Sequence, residues 1–340
     1  MRQPALPVLL LALTLTGCLP SSCSRVEPRA ISPADSTSRA LAESMPVDTL
    51  ELVSSVVFDR DDLRNLRTVA FLGADGLVAT DTRANSVHYF DGASAIARTV
   101  VLPGAIPYLA GVEGDSVWVF GPGSRKVHLL VSGEPRDSVQ IDLGAGNERA
   151  LTWVVRHGDG FVSKVLDDDS GNHVAWHDAA GTVVERVDLS SASWRYAGFL
   201  RQDGDRLISL SGFLPWVYLP SATGVDSLRL IGFDSPMLAR TLQFERGTTE
   251  QPPLLSGSAD VAGGLLFVLN MRPGWLHVDA YDSTGTLAYV LTQPDPSFDK
   301  EFYPSDIAVR EVEPGLFEMA VIVTEPEPGV DRYRWRLPER

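Results

Sequence analysis

The sequence is poor in cysteine, with two cysteines, Cys18 and Cys23, among 340 residues. One pair of cysteines cannot make a structural zinc site. Positive charge is also scarce, because 29 Lys and Arg residues stand against 44 Asp and Glu residues, for a formal net charge of −15. A field of this sign repels phosphate backbones, so nucleic acid is disfavoured as a partner.

Helical and catalytic patterns are missing as well. No window from residue 48 onward sustains an apolar stripe with a period of 3.6 residues between helix caps. No Gly-x-Ser-x-Gly elbow leads into a helix, and the glycines of Gly73–Gly76 and Gly121–Gly123 precede no helix that could aim amides at a phosphate. The sequence therefore shows no catalytic constellation.

The N-terminus carries the most informative pattern. Met1 and Arg2 supply positive charge, Leu9–Leu13 form a short apolar core, and Leu15-Thr16-Gly17-Cys18 closes it. This order predicts a secretory signal peptide over residues 1–17, because the apolar run is too short to span a membrane. Leu15–Cys18 also resembles the bacterial lipobox. The resemblance implies cleavage before Cys18, acylation of Cys18 with palmitate-type chains, and a mature chain held to a membrane by lipid.

Two further expectations depend on that anchor. Leu19 stands where Asp would favour retention at the inner membrane, so the lipobox rule favours the outer membrane, with the protein facing the periplasm or the surface. Residues 18–47 are rich in Ser, Pro, Ala and Arg and predict a flexible tether. Residues 48–340 then form the folded part, which is long enough to bury a large core.

The residue pattern of the folded part predicts short β-strands. A unit of strand, Gly/Asp turn, strongly apolar strand, loop, third strand, small turn and fourth strand recurs along it. The apolar second strands begin near residues 77, 117, 161, 207, 265 and 316, which is a spacing of about 40 to 60 residues. The last unit lacks its outer strand, and residues 49–58 form an orphan strand at the other end. Pairing the two would hide two sheet edges at once.

These repeats, with turns such as Gly114-Asp115-Ser116-Val117 and Asp282-Ser283-Thr284-Gly285, resemble six-bladed propellers of the NHL, Tol-system and gluconolactonase-like kind. Together with the lipobox, they resemble bacterial six-bladed β-propeller lipoproteins of unassigned role. The resemblance predicts an all-β propeller of four-stranded antiparallel blades whose last blade is closed by residues 49–58. Five or seven blades stay open, because residues 232–256 could hold further strands, and two stacked sandwiches are the competing architecture.

One face of such a propeller gathers the loops between blades and the loops between second and third strands. Ligands usually bind there, and aromatic and arginine side chains in those loops could stack on a peptide, glycan or planar ligand. The candidate ligand-binding residues are Arg83, Arg125, Trp194, Phe213, Arg272 and Tyr303.

Metal chemistry has weaker signals. Asp167, Asp168 and Asp169 could bind calcium, the one candidate cofactor, although their spacing does not match an EF-hand loop. A gluconolactonase-like site would need a Glu, Asn residues and an Asp converging on the axis. The candidate residues for that site are Asn85, Asn147, Glu148, Asn270 and Asp306. The histidines fit no shared metal site and are expected to be half-exposed strand residues.

The sequence thus favours a membrane-anchored envelope lipoprotein whose propeller is a non-enzymatic platform for an envelope protein, a peptide or a glycan. A metal-dependent hydrolase or lactonase of the gluconolactonase-like type is the alternative. A third interpretation is a lipoprotein whose propeller only helps to assemble an envelope complex. Fold analogy does not decide among them.

Overall fold

A computed structural model describes residues 33–58, 63, 65–92, 95–144, 150–169, 171–272, 274–294 and 302–338. The predicted signal peptide, Cys18 and the first part of the expected tether lie outside these residues. Within them the chain is an all-β propeller of six blades, each with four antiparallel strands, as predicted. No helix in the described part is long and apolar enough to cross a membrane.

The first three blades follow the chain in order, each from its inner to its outer strand. The N-terminal segment that precedes them contains α1 (Pro33–Ser44), β1 (Val47–Thr49) and β2 (Glu51–Val57). Blade 1 consists of β3 (Leu66–Leu72), β4 (Gly76–Asp81), β5 (Ser86–Phe90) and β6 (Ile96–Val101). Blade 2 consists of β7 (Tyr108–Glu113), β8 (Ser116–Gly121), β9 (Lys126–Val131) and β10 (Glu134–Gln140). Blade 3 consists of β11 (Leu151–His157), β12 (Gly160–Leu166), β13 (Asn172–His177) and β14 (Val183–Leu189).

Two short helices lie between blades in the second half of the chain. Helix α2 (Ser193–Tyr196) precedes blade 4, and α3 (Leu238–Glu245) precedes blade 5. Blade 4 consists of β15 (Leu200–Asp203), β16 (Arg206–Leu210), β17 (Trp216–Ser221) and β18 (Gly224–Arg229). Blade 5 consists of β19 (Ser256–Ala262), β20 (Leu265–Asn270), β21 (His277–Tyr281) and β22 (Leu287–Thr292). Blade 6 consists of β23 (Tyr303–Glu313), β24 (Leu316–Glu325), β25 (Gly329–Arg336) and β2.

The core lies between blades, which explains the strand patterns. The second strands, such as β12, are buried on both faces because each is covered by two neighbouring blades, and they are therefore continuously apolar. Outer strands such as β10 are almost fully exposed. Between blades 5 and 6, the Phe317 ring lies 5.4 Å from the Phe267 ring and 5.5 Å from the Trp335 ring, measured between centroids.

The ring closes as the sequence predicts. Strand β2, inside residues 49–58, pairs antiparallel with β25 in a register that runs from Glu51 opposite Arg334 to Val57 opposite Gly329. Strand β1 adds a second connection that the sequence did not indicate, because it pairs in parallel with β22 as a fifth strand of blade 5. Leu50, between β1 and β2, is 1% exposed and belongs to the core of blades 5 and 6.

The end of the expected tether is structured. Helix α1 docks against blades 4 and 5, where Leu41 and Met45 pack on the apolar cluster between these blades. The Gly232 amide donates to the Ser38 hydroxyl at 2.6 Å. The expectation of a flexible segment therefore does not hold for residues 33–47, because this surface is created only when the two blades meet.

The long connection after blade 4 holds a helix rather than a further blade. Helix α3 lies against α2, where the Trp194 and Phe244 rings are 5.1 Å apart at their centroids, and Arg195 pairs with Glu245 at 3.0 Å. Residues 232–256 therefore add no blade, and the count of six stands.

Candidate ligand-binding site

The inner strands of the six blades surround an axial channel that opens at both ends. We call the end that carries the connections between blades and the turns between second and third strands the loop face. The opposite end, with the turns between first and second strands, is the hairpin face. An inner strand is also a sheet edge, so its unpaired backbone groups face the channel.

On the loop face the channel ends in a pocket of about 230 Å³. Two of the predicted ligand-binding residues, Phe213 and Tyr303, line it together, and Tyr303 is 43% exposed. Most of the other lining side chains are apolar: Leu151, Trp153, Phe199, Leu254, Met271 and Pro304. This loop-face pocket therefore offers an apolar, aromatic surface at the mouth of the channel.

Phe199 contacts two guanidinium groups. The Arg67 guanidinium lies 5.9 Å from the centroid of its ring, and the Arg201 guanidinium lies 4.6 Å from it. Arg67 is exposed and lines the loop-face pocket, so it gives the pocket one positive charge. Sequence reasoning missed Arg67 because a lone arginine on an inner strand follows no motif.

Lys164 supports this pocket from behind and was also missed. Its ammonium is fully buried and donates to Tyr196 O at 2.9 Å, Gly198 O at 2.5 Å and Ser209 Oγ at 2.9 Å. It also lies 4.5 Å from the centroid of the Trp153 ring. Burial lowers the pKa of Lys164 well below its usual value. The two hydrogen bonds to backbone carbonyls hold in place the segment 196–199, which forms part of the pocket wall, and the third ties Lys164 to β16.

The other predicted ligand-binding residues lie elsewhere on the loop face. The backbone amide of Arg83 donates to Asp81 at 2.9 Å in the turn of blade 1, and Arg272 donates to Asp234 O at 2.8 Å. Arg125 has a φ of 55° in the turn of blade 2, and Trp194 packs on α3. None of these four lines the loop-face pocket. Arg272 and Trp194 instead contact the connection between blades 4 and 5.

The predicted calcium ligands form a hydrogen-bonded turn. Asp167 accepts from the Asp169 amide at 3.0 Å, and its own amide donates to Asn172 Oδ1 at 3.0 Å. Asp168 accepts a hydrogen bond from the Ser193 hydroxyl. Across the residues that the structure describes, no group of three His, Cys, Asp or Glu side chains could hold a metal ion. Calcium binding by this turn stays a prediction.

The residues considered for a lactonase centre serve separate structural roles. Asn85 accepts from the Ile106 amide at 2.9 Å, and Asn270 donates to Asp279 at 2.8 Å. Asp306 accepts from Arg201 at 2.7 Å and from the Val69 amide at 2.9 Å. Neither the loop-face pocket nor the cavity at the other end is lined by any of the three. Asn147 and Glu148 lie outside the described residues.

Four histidines differ from their expected half-exposed state. His88, His173, His177 and His277 are all buried, because third strands are also covered by neighbouring blades. His177 is hydrogen-bonded to Ser163 at 2.8 Å, and His277 to Asp279 at 2.9 Å. Burial lowers the pKa of His88, His173 and His177. Their partners are residues within the protein, in line with a repeated structural role.

On the hairpin face the channel widens into a cavity of about 640 Å³, which we call the axial cavity. All six inner strands contribute to its wall, which carries side chains of both charges. The charged residues that line it are Glu113, Arg156, Arg201, Asp205, Asp260 and Arg310.

Asp260 reaches the axial cavity from blade 5 and accepts from the Val309 amide at 2.7 Å. Burial, opposed by Arg201, raises the pKa of Asp260 to about 6. Because this value lies above the ordinary 3.8, the stabilising contribution of the group is complete below pH 3.8 and is lost as the pH rises through about 6. Ionised Asp260 therefore costs stability at neutral pH.

These observations define the class of the molecule as a six-bladed β-propeller with an apolar pocket at one end of its channel and a charged cavity at the other. No family model matches the chain, and no curated protein matches its sequence. Its similarity to known proteins therefore lies in its three-dimensional structure.

Solved structures share this fold. The chain is similar to a streptogramin B lyase, with a TM-score of 0.52 and 14% identity over 84% of this chain and 87% of the other. A luciferin-regenerating enzyme gives a TM-score of 0.51 and 13% identity over 87% and 94% of the two chains. Virginiamycin B lyase from Staphylococcus aureus gives 0.50 and 11% over 86% and 90%. Identities this low show a common fold and carry no conclusion about activity.

Proposed function

We propose that this protein is a lipid-anchored component of the bacterial cell envelope whose propeller binds a ligand at the loop-face pocket without catalysing a reaction. The pocket itself carries the proposal, because it joins exposed aromatic and aliphatic side chains to the single charge of Arg67. Such a site suits a planar or apolar group with a negative charge, on a free ligand or on a partner protein.

The anchor rests on the N-terminal pattern. Cys18 follows Leu15-Thr16-Gly17 directly behind a short apolar run, as in a lipobox, and Leu19 favours the outer membrane. Two or three acyl chains would hold the mature protein firmly, since each buried methylene contributes about 0.8 kcal/mol. With the propeller held at the membrane by its N-terminal segment, the pocket would meet ligands or partners of the envelope.

The anchor is tested by replacing Cys18 with Ser in the full-length chain. We expect the wild-type protein in the membrane fraction of an expressing bacterium, labelled by a palmitate analogue, and Cys18→Ser without label. Cys23→Ser is the matched control, because it removes the other cysteine and should keep both label and membrane association. Equal labelling of the wild-type and Cys18→Ser proteins would refute the anchor.

The pocket is tested with anilinonaphthalene sulfonate, a planar apolar anion whose fluorescence rises in apolar sites. We expect binding of one molecule, quenching of Trp153, and an affinity about five- to thirtyfold weaker in Phe213→Ala and in Tyr303→Ala, because each loses an aromatic contact of about 1–2 kcal/mol. Arg67→Met should weaken binding of the sulfonate while keeping the apolar contact of the side-chain stem.

Val184→Ala is the control for these variants, because Val184 is 65% exposed on the outer strand of blade 3, away from the pocket. A Phe213→Ala and Tyr303→Ala double variant that binds the probe as tightly as the control would exclude the loop-face pocket as the binding site.

A further inference from the structure

The axial cavity on the hairpin face contains three arginines, and two of them have carboxylate partners in the protein. Arg201 pairs with Asp306 at 2.7 Å, and Arg310 pairs with Glu318 at 2.6 Å. Asp306 neutralises Arg201, whereas Glu318 also pairs with two further arginines, so the charge of Arg310 is only partly neutralised. Arg156 forms no ion pair with any carboxylate in the part of the chain that the structure describes, so its charge is available to a ligand.

Arg156 is nevertheless held in a defined position. Its guanidinium lies 5.4 Å from the centroid of the Trp118 ring and 5.3 Å from that of Phe161. Nη1 donates to Gly160 O at 2.6 Å, whereas the buried Nε has no hydrogen-bond partner. A preorganised guanidinium favours a carboxylate, because its planar N–H donors match the two carboxylate oxygens.

Asp260 carries the opposite charge to Arg156. It lies on the inner strand of blade 5, and Arg156 lies on that of blade 3, with blade 4 between them. Its carboxylate accepts from the Val309 amide at 2.7 Å and from the Val261 amide at 2.9 Å, and it forms no ion pair within the described residues. A carboxylate has room for about four hydrogen bonds, so two positions remain for a donor in the cavity.

We propose that the axial cavity is a second binding site, which takes a zwitterionic ligand of the amino acid or short-peptide class. The ligand carboxylate would bind Arg156, and its ammonium group would bind Asp260. Partly exposed apolar lining residues from blades 1 and 2, namely Ala70, Phe71 and Val112, suit an aliphatic side chain. The volume of about 640 Å³ is in the range of small-ligand sites.

Calorimetric titration of the purified propeller with four related probes tests this site. L-leucine and L-leucyl-L-leucine carry both charges, L-leucinamide carries only the ammonium group, and N-acetyl-L-leucine carries only the carboxylate. At about pH 7.5, where Asp260 is ionised, we expect at least one zwitterion to bind about tenfold or more tightly than either singly charged probe, because each lost charge-assisted hydrogen bond costs about 1.5–3 kcal/mol.

Two variants separate the contributions of the two charges. Asp260→Asn should abolish the preference for the zwitterion over N-acetyl-L-leucine, and Arg156→Met should abolish its preference over L-leucinamide. Asn has the size of Asp, Met keeps the unbranched apolar stem of Arg, and each replacement removes a charge that has no ion-pair partner within the described residues, so the fold should persist. Asp159→Asn and Arg206→Met are matched controls, because both residues are exposed and neither lines the cavity.

Three results would overturn the proposal: no heat of binding with either zwitterion, equal binding of L-leucinamide and the zwitterion, or unchanged affinities in both variants. The loop-face pocket is independent of this test. A Phe213→Ala and Tyr303→Ala double variant should bind the zwitterion as the wild type does, so the failure of one site can be told from the failure of the other.

Discussion

A chain that begins at residue 58, and so lacks the closing strand, should unfold about 10 °C or more below the chain that begins at residue 47. The deletion removes the six paired positions between β2 and β25 and the three between β1 and β22. It also removes Leu50, which is 1% exposed in the core of blades 5 and 6.

The size of this decrease in Tm follows from the typical free energies of the interactions that are lost. A net 0.5–1.5 kcal/mol for each backbone hydrogen bond and about 1.5–3 kcal/mol for a buried leucine give a loss of about 5–10 kcal/mol. At about 2 °C per kcal/mol for a large domain, this loss lowers Tm by about 10–20 °C. Differential scanning calorimetry measures the shift. The deletion also exposes the edge of β25, which should promote association of the truncated chain.

A circular permutant is the decisive control. Residues 47–57 are moved behind residue 338 through a short Gly-Ser linker, and the new chain begins at residue 58. The linker is feasible because Pro338 lines the same surface depression as Asp48 and Thr49. The permutant should regain most of the lost stability. A truncated chain with an undiminished Tm would show that this strand does not hold the ring closed.

The second large effect is expected at Asp306. Replacing this fully buried residue by Ala should lower the free energy of unfolding by about 3–5 kcal/mol, because Arg201 would keep a charge with 17% side-chain exposure and no carboxylate partner. The variant also frees the Val69 amide, which links blade 6 to blade 1, and the Ser258 hydroxyl. Urea unfolding measures the loss.

Two comparisons make this result interpretable. Asp188→Ala breaks an exposed pair with Arg186 at 2.8 Å and should change stability by less than about 1 kcal/mol. Adding Arg201→Met to Asp306→Ala should recover part of the loss, because the unpaired charge is then gone. An Asp306→Ala variant as stable as Asp188→Ala would mean that the ion pair between Asp306 and Arg201 contributes nothing measurable to the free energy of unfolding.

The fold was predictable in unusual detail because a propeller blade is local. Five blades form from four consecutive strands and the sixth from three, so the repeats and the unpaired strand at residues 49–58 could be recognised along the chain. Helix α1 could not be recognised in this way. Leu41 and Met45 are too few to predict a docked helix, and the surface that receives them belongs to blades 4 and 5.

The loop-face pocket was predictable only in part. Phe213 and Tyr303 stand out because they are aromatic residues in or beside loops of one face. Arg67, Lys164, Arg156 and Asp260 lie on strands, where a charged residue is ordinarily taken for a solvent-exposed one. Inner and second strands reverse that expectation, since their side chains face the channel or a neighbouring blade.

The sequence by itself predicted six blades, the order of their strands and the strand that closes the ring, because antiparallel pairing between neighbours is visible in alternation and turn residues. The structure then excluded five or seven blades, since the stretch 232–256 holds α3 and no further blade. Only the tertiary structure decided which charges are paired and which are left to face a cavity. That distinction depends on contacts between residues of different blades near one axis, and these contacts cannot be inferred from a local sequence pattern.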